Sequence, residues 1–256
     1  MPSPILWPAL VMQLASIARP LPASVNLLDR VEHDCRILET PLSQGECGAC
    51  SAFAVSAWMA IRRCIDEGVD EVPSPYRIFD CAGGTCAQGA SLGAVVVVAA
   101  GRVVPDMNTS EPAFLGEASC GALAHRSRYA LFLAYQTHRD AIRHALWWWG
   151  PLLGTVSGWE GANATRPHAV VVIGWTRDGW LIQNSWGDAW GDATGRGVIP
   201  WHKLNYGLRP LFYDGTQRWL MMALVALTLT GALWSAMAPL AGREEFKQAR
   251  GEKGEP

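Results

Sequence analysis

All seven cysteines of this chain, Cys35, Cys47, Cys50, Cys64, Cys81, Cys86 and Cys120, lie in its first half. Any fold it adopts must accommodate that cluster. In an oxidising compartment six thiols pair readily and one remains as a free, reactive group. In a reducing compartment all seven stay as thiols. Cys47-Gly48-Ala49-Cys50 has no second C-x-x-C partner at zinc-like spacing, so no metal is expected. No cofactor is implied either.

The chain has 256 residues, half of them apolar. That supports one well-buried domain of about 200 residues, or two closely packed subdomains. Net charge is −2, from 21 Lys and Arg against 23 Asp and Glu, with no basic run. Nucleic acid is therefore not an implied partner.

From Cys50 onward, SAFAVSAWMAIRRCIDEG reads as a helix. Phe53, Ala57, Ala60 and Cys64 recur at helical spacing beside Ile61, and Gly68 stands where a left-handed C-terminal residue is wanted. A turn-rich stretch, a Cys/Gly loop (CAGGTCAQG) and a second apolar helix candidate follow up to residue 98. Later the character changes. Ala169–Trp175 is a continuous apolar run of strand composition, and Thr176-Arg-Asp-Gly179 signals a turn into a second strand ending near Asn184. A helical first half and an antiparallel second half make an α+β pattern. Trp147, Trp148 and Trp149 read as core packing.

The two ends are distinctive. Residues 4–18 form an apolar run ending in Ser16-Ile17-Ala18, similar to a secretory signal, so 1–20 is read as a signal-like segment. Residues 219–242 are 24 residues without a charge, long enough to cross a bilayer as a helix, and the tail 243–256 is charged. The membrane is thus an expected partner, with residues 21–215 lumenal or extracellular. Asn108-Thr-Ser and Asn163-Ala-Thr are glycosylation sequons that suit that side.

The chemistry centres on Cys50. A cysteine nucleophile needs its thiol pKa depressed, which a helix N-terminus and a neighbouring imidazolium provide. A third group must orient the imidazole, and donors must meet the oxyanion that forms on attack. Cys50 opens the helix, and His168 opens the first strand of the hairpin. Asn184 ends the second strand, at the same end of the pair. Gln44, six residues before Cys50, offers a side-chain amide.

At these residues the chain resembles the papain family of cysteine proteases. Gln44-Gly45-Glu46-Cys47-Gly48-Ala49-Cys50-Ser51-Ala52-Phe53-Ala54 is similar to its nucleophile segment. His168-Ala169-Val170 with Gly174-Trp175 is similar to its histidine strand, and Asn184-Ser185-Trp186-Gly187 with Trp190-Gly191 to its asparagine motif. The likeness is nearest to cathepsin B, from Leu21-Pro22-Ala23-Ser24 and from Cys35 and Cys64 bracketing the nucleophile, but nothing resembles that enzyme's occluding loop.

The resemblance implies a two-subdomain papain-like fold over 21–215. It also implies a cysteine endopeptidase acting on protein or peptide substrates, with Cys50 as nucleophile, His168 as acid/base, Asn184 as orienting group and Gln44 as oxyanion donor. Gly89 and Trp186 would line the substrate cleft, and the implied disulfides are Cys35–Cys64, Cys47–Cys86 and Cys81–Cys120. The sequence departs from the family pattern at Ser51, which replaces a Trp. It also carries Ala87-Gln88-Gly89 for Asn-Gly-Gly and a short segment from Pro151 to His168, and it shows no recognisable inhibitory prosegment. A second reading is therefore a papain-fold binding protein impaired in turnover; acyl transfer other than hydrolysis shares the same chemistry.

Overall fold

The computed structural model describes residues 20–102, 104–107, 120, 128–158 and 167–214. The segments 4–18 and 219–242 and both sequon asparagines lie outside these residues. Among the described residues no helix is long and apolar enough to cross a membrane. Contacts divide the chain into Met1–Phe212 and Tyr213–Pro256, the latter described only at its first two residues.

The helices are α1 (Arg36–Glu39), α2 (Cys50–Glu67), α3 (Pro75–Cys81), α4 (Leu92–Gly101) and α5 (Arg139–Trp149). The strands are β1 (Val25–Asn26), β2 (Arg128–Gln136), β3 (Leu152–Val156), β4 (His168–Trp175), β5 (Gly179–Gln183), β6 (Arg196–Pro200) and β7 (Leu204–Asp214). They form a sheet in the order β2-β7-β3-β4-β5-β6, with β1 paired to β4. The pairs that flank the site, β3 with β4 and β4 with β5, are antiparallel.

Strand β4 is buried at all eight residues because both of its faces are covered. Ala169, Val171 and Ile173 pack with Phe53, Val55 and Ile61 of α2 in one core. Val170, Val172 and Trp175 pack with Ile142 and Leu146 of α5 in a second. A half-exposed strand alternates apolar and polar residues; a strand covered on both sides needs an unbroken apolar run. That accounts for the sequence AVVVIGW.

Helix α2 ends as its sequence predicts. Gly68 takes the left-handed conformation at φ 66°, and its N–H closes the last turn on Arg63 and Cys64. Its burial is broader than the expected stripe, since every residue from Ser51 to Ile61 is buried. Small side chains at 51, 52, 54, 56, 57 and 60 let the sheet and its neighbouring helices approach from all sides. Trp58 Nε1 donates to the Pro151 carbonyl at 2.8 Å and ties the helix to the entry of β3.

The tryptophan cluster departs from expectation. Trp147 packs partly against the second core, whereas Trp148 and Trp149 are 42% and 40% exposed. They end α5, which carries only one apolar face to the core. Three consecutive residues of a helix span about 200° and cannot all share that face.

Candidate active site

Cys50 is the first residue of α2, and its N-cap Ala49 has no side chain able to occupy the first-turn N–H groups. The N–H groups of Cys50 and Ser51, together with that of Ala169 in β4, face the Cys50 sulfur. The helix terminus thus meets the start of β4, where His168 is paired across the sheet with Val156. Asn184 follows β5 directly. Antiparallel pairing of β4 with β5 brings the beginning of one strand beside the end of the other.

His168 Nε2 and Asn184 Oδ1 are 2.7 Å apart, both side chains being buried. The Ser185 N–H donates to the same Oδ1 at 2.8 Å, which identifies that atom as the acceptor. Nε2 of His168 therefore carries the hydrogen, and a neutral ring keeps Nδ1 as its unprotonated nitrogen. The Trp186 ring covers the imidazole, centroids 4.6 Å apart and planes tilted by 31°, and Trp190 meets Trp186 edge to face. This cover limits water at the His168–Asn184 bond. Asn184 Nδ2 is buried without a partner among the described residues.

Gln44 is half-buried beside this group. Its Nε2 donates to the Cys47 carbonyl at 2.8 Å, and its Oε1 accepts from the Ser185 hydroxyl at 2.6 Å. A primary amide has two N–H bonds, so one remains for another acceptor.

Burial governs the electrostatics of the free site. Burial pushes the Cys50 thiol up from 9.0 and outweighs the N–H groups of Ala169, Ser51 and Cys50, which pull it down. Burial likewise pushes His168 down from 6.5, against the Asn184 hydrogen bond that supports its charge. Desolvation thus acts against the charged form of each group.

The cysteines form Cys35–Cys64, Cys47–Cys86 and Cys81–Cys120, and Cys50 is free. The Cys47–Cys86 bridge holds the 85–89 loop against the nucleophile segment. Gly48 N–H donates to the Cys86 carbonyl at 3.0 Å, and a Cβ at Gly48 would sit 2.7 Å from that oxygen. Gly89 closes the loop on Thr85, with φ 75°. Gln88 in the same loop is exposed.

Sequence reasoning named Ser51 only as a departure from the family pattern and gave Ser185 no role. The Ser51 hydroxyl donates to the Ala90 carbonyl at 2.8 Å, so the residue in the place of the usual Trp laces α2 to the far side of the same loop. Ser185 bonds both Asn184 and Gln44. Only its place between Asn184 and Trp186 hinted at that.

A family model described as papain family cysteine protease matches residues 21–199, and the chain belongs to that family. A cysteine protease of Blomia tropicalis is 26% identical over 184 residues, 59% of this chain and 54% of that protein. The chain thus spans about half the length of that relative. The solved cysteine protease of Carica candamarcensis, in complex with E-64, superposes with a TM-score of 0.56 at 18% identity, over 74% of this chain and 98% of that one. Bromelain of Ananas comosus, in complex with E64, gives 0.55 at 21% identity, over 74% and 99%. Procathepsin B of Trypanosoma congolense gives 0.56 at 18% identity, over 78% and 80%. These structures share the papain-like α+β fold.

Proposed function

We propose that this papain-family chain is a cysteine endopeptidase in which Cys50 attacks the scissile carbonyl and His168 moves the proton. The observation that carries the reading is the buried Nε2–Oδ1 bond from His168 to Asn184. It presents Nδ1 as a ready base while the Ala169 N–H beside it faces the one free thiol.

In the first step the Cys50 S–H proton passes to His168 Nδ1 as sulfur bonds to the carbonyl carbon. The oxyanion is received by the second N–H of Gln44 and by the Cys50 N–H, which turns to it from the sulfur as the tetrahedral centre forms. The imidazolium then gives its proton to the leaving amine as the C–N bond breaks, leaving a thioacyl enzyme. Water, deprotonated by His168, releases the acid and restores the thiol. Asn184 keeps the ring oriented throughout, as the third member of a catalytic triad does.

Gly89 pairs with substrate backbone on the acyl side, and Trp186 walls the leaving-group side. We further read the chain as similar to cathepsin B without an occluding loop, and therefore as cutting within chains rather than releasing C-terminal dipeptides. Three disulfides support a secreted or lysosomal setting. We extend this to entry by residues 4–18, glycosylation at Asn108 and Asn163, and anchoring by 219–242, leaving the domain 21–215 lumenal or extracellular.

The test is labelling with an epoxide inhibitor followed by a turnover assay on an internally quenched peptide. The expected result is stoichiometric labelling at Cys50 and hydrolysis lost in Cys50→Ala. Wild-type labelling without hydrolysis would overturn the endopeptidase reading in favour of an impaired binding protein.

A further inference from the structure

We propose that a pocket at the opposite end of α2 from Cys50 binds a small aromatic carboxylate, its carboxylate held by Arg209 and its ring against Trp148 and Trp149. The pocket encloses about 270 Å³, close to the lower limit of small-molecule sites. It is assembled from four separate chain segments: Arg30 after β1, Arg62 and Asp66 on α2, the end of α5, and Arg209 on β7. No run in the sequence announces it.

Three guanidinium groups face one carboxylate there, which leaves two positive charges uncompensated. The cations are not equivalent. Arg62 is committed, donating to the Trp149 carbonyl at 2.8 Å and pairing with Asp66. Arg30 lies over the Trp147 ring at 4.3 Å from its centroid. Arg209 is half-buried and has neither a hydrogen bond nor a close ion pair among the described residues. Burial and the adjacent Arg62 charge both act against its protonated form, with only Asp66 in support.

A partly desolvated cation whose one supporting carboxylate, Asp66, is already paired with Arg62 is costly, and an anion placed against it offsets that cost. The fork of N–H donors on Arg209 matches the two oxygens of a carboxylate. Trp148 and Trp149, both partly exposed, line the same pocket and supply apolar area beside it. Arg62 and Asp66 lie 12 and 16 residues after Cys50, about 18 to 24 Å along the helix. Occupancy is therefore independent of the peptidase reading.

The experiment is calorimetric titration of the full chain with indole-3-acetate, with indole, acetate and inorganic phosphate as separate titrants. Indole-3-acetate should saturate one site, and neither half-molecule nor phosphate should match it. Arg209→Met should weaken binding about tenfold or more, and Arg209→Lys, which keeps the charge but not the fork, should weaken it less. Trp148→Ala should also weaken it, and affinity should fall with added salt. Circular dichroism checks that each variant is folded. Failure of the wild type to saturate in the millimolar range, equal affinity in Arg209→Met, or phosphate binding as tightly as indole-3-acetate would each overturn the assignment.

Discussion

The Ser185 hydroxyl donates to Gln44 Oε1 at 2.6 Å, and this bond determines which end of the Gln44 amide faces the cleft. With the oxygen engaged, the nitrogen is turned toward Cys47 and the start of α2. The Ser185 N–H also holds Asn184 Oδ1, so one residue orients both amides of the site.

Gln44→Ala should therefore lower kcat by about 10²–10³ if the amide meets the oxyanion. Ser185→Ala keeps the backbone bond to Asn184 but frees the Gln44 amide to rotate. It should lower kcat by a smaller factor, on the order of tenfold, with KM little changed, since one neutral hydrogen bond is worth about 1 kcal/mol. Steady-state kinetics on a peptide substrate checks both. A Ser185→Ala enzyme equal to wild type would show that Gln44 needs no such support.

The directions of the two site pKa values set a pH dependence of stability. His168 titrates below 6.5 when folded, so the unfolded chain binds more protons as pH drops. Its contribution is present above 6.5 and is lost as pH falls through the folded value. Cys50 titrates above 9.0 when folded, so its contribution is present below 9.0 and lost as pH rises through the folded value. In melting curves, His168→Gln should flatten the acid fall relative to wild type, and Cys50→Ser the alkaline fall. A resident thiolate–imidazolium pair would reverse both signs. His168→Ala should also slow Cys50 alkylation near neutral pH, because the attacking sulfur then lacks its proton acceptor.

Arg196 joins the two halves of the domain. Its Nε donates to Gln183 Oε1 at 2.8 Å and its Nη2 to the Leu38 carbonyl at 2.7 Å, while burial pulls its pKa down. Arg196→Ala leaves both acceptors without that donor and should cost about 2–4 kcal/mol in urea unfolding at neutral pH. A loss under about 0.5 kcal/mol would put this residue with ordinary surface positions.

For residues 219–242, the prediction is a membrane helix with a cytoplasmic tail carrying Arg243, Lys247, Arg250 and Lys253. On sealed microsomes a C-terminal tag should be digested by added protease while residues 21–215 survive. Extraction by alkaline carbonate would remove the spanning helix from the account.

The catalytic candidates were legible because each needs a fixed residue type beside a recognisable element: a cysteine at a helix start, a histidine at a strand start, an asparagine at a strand end. The papain-like α+β pattern followed from the same segments and from the family resemblance. What stayed hidden depends on chain segments meeting across the fold. Ser51 reaches Ala90, Ser185 reaches Gln44, and Arg196 reaches Leu38; no periodicity or local motif encodes such pairs. Trp148 and Trp149 were misjudged because composition reports apolar character, whereas position on the α5 face decides exposure. The surroundings of Cys50 stayed hidden for a related reason. A helix terminus is visible in sequence, but the burial that opposes it is not.

The bridges fall entirely within residues 35–120, so the half that supplies the nucleophile is covalently stapled, while the half that supplies the base is held by packing and hydrogen bonds. Heating an oxidised sample should consequently separate the two in time. Amides of β4 and β5 should begin to exchange while those of α2 remain protected, and activity should vanish on the schedule of the sheet. A reductant should erase that order and let both halves open together. If the proposed peptidase works in an oxidising compartment, such staggered melting would let a warmed molecule keep its thiol in place and regain function by re-forming the sheet alone.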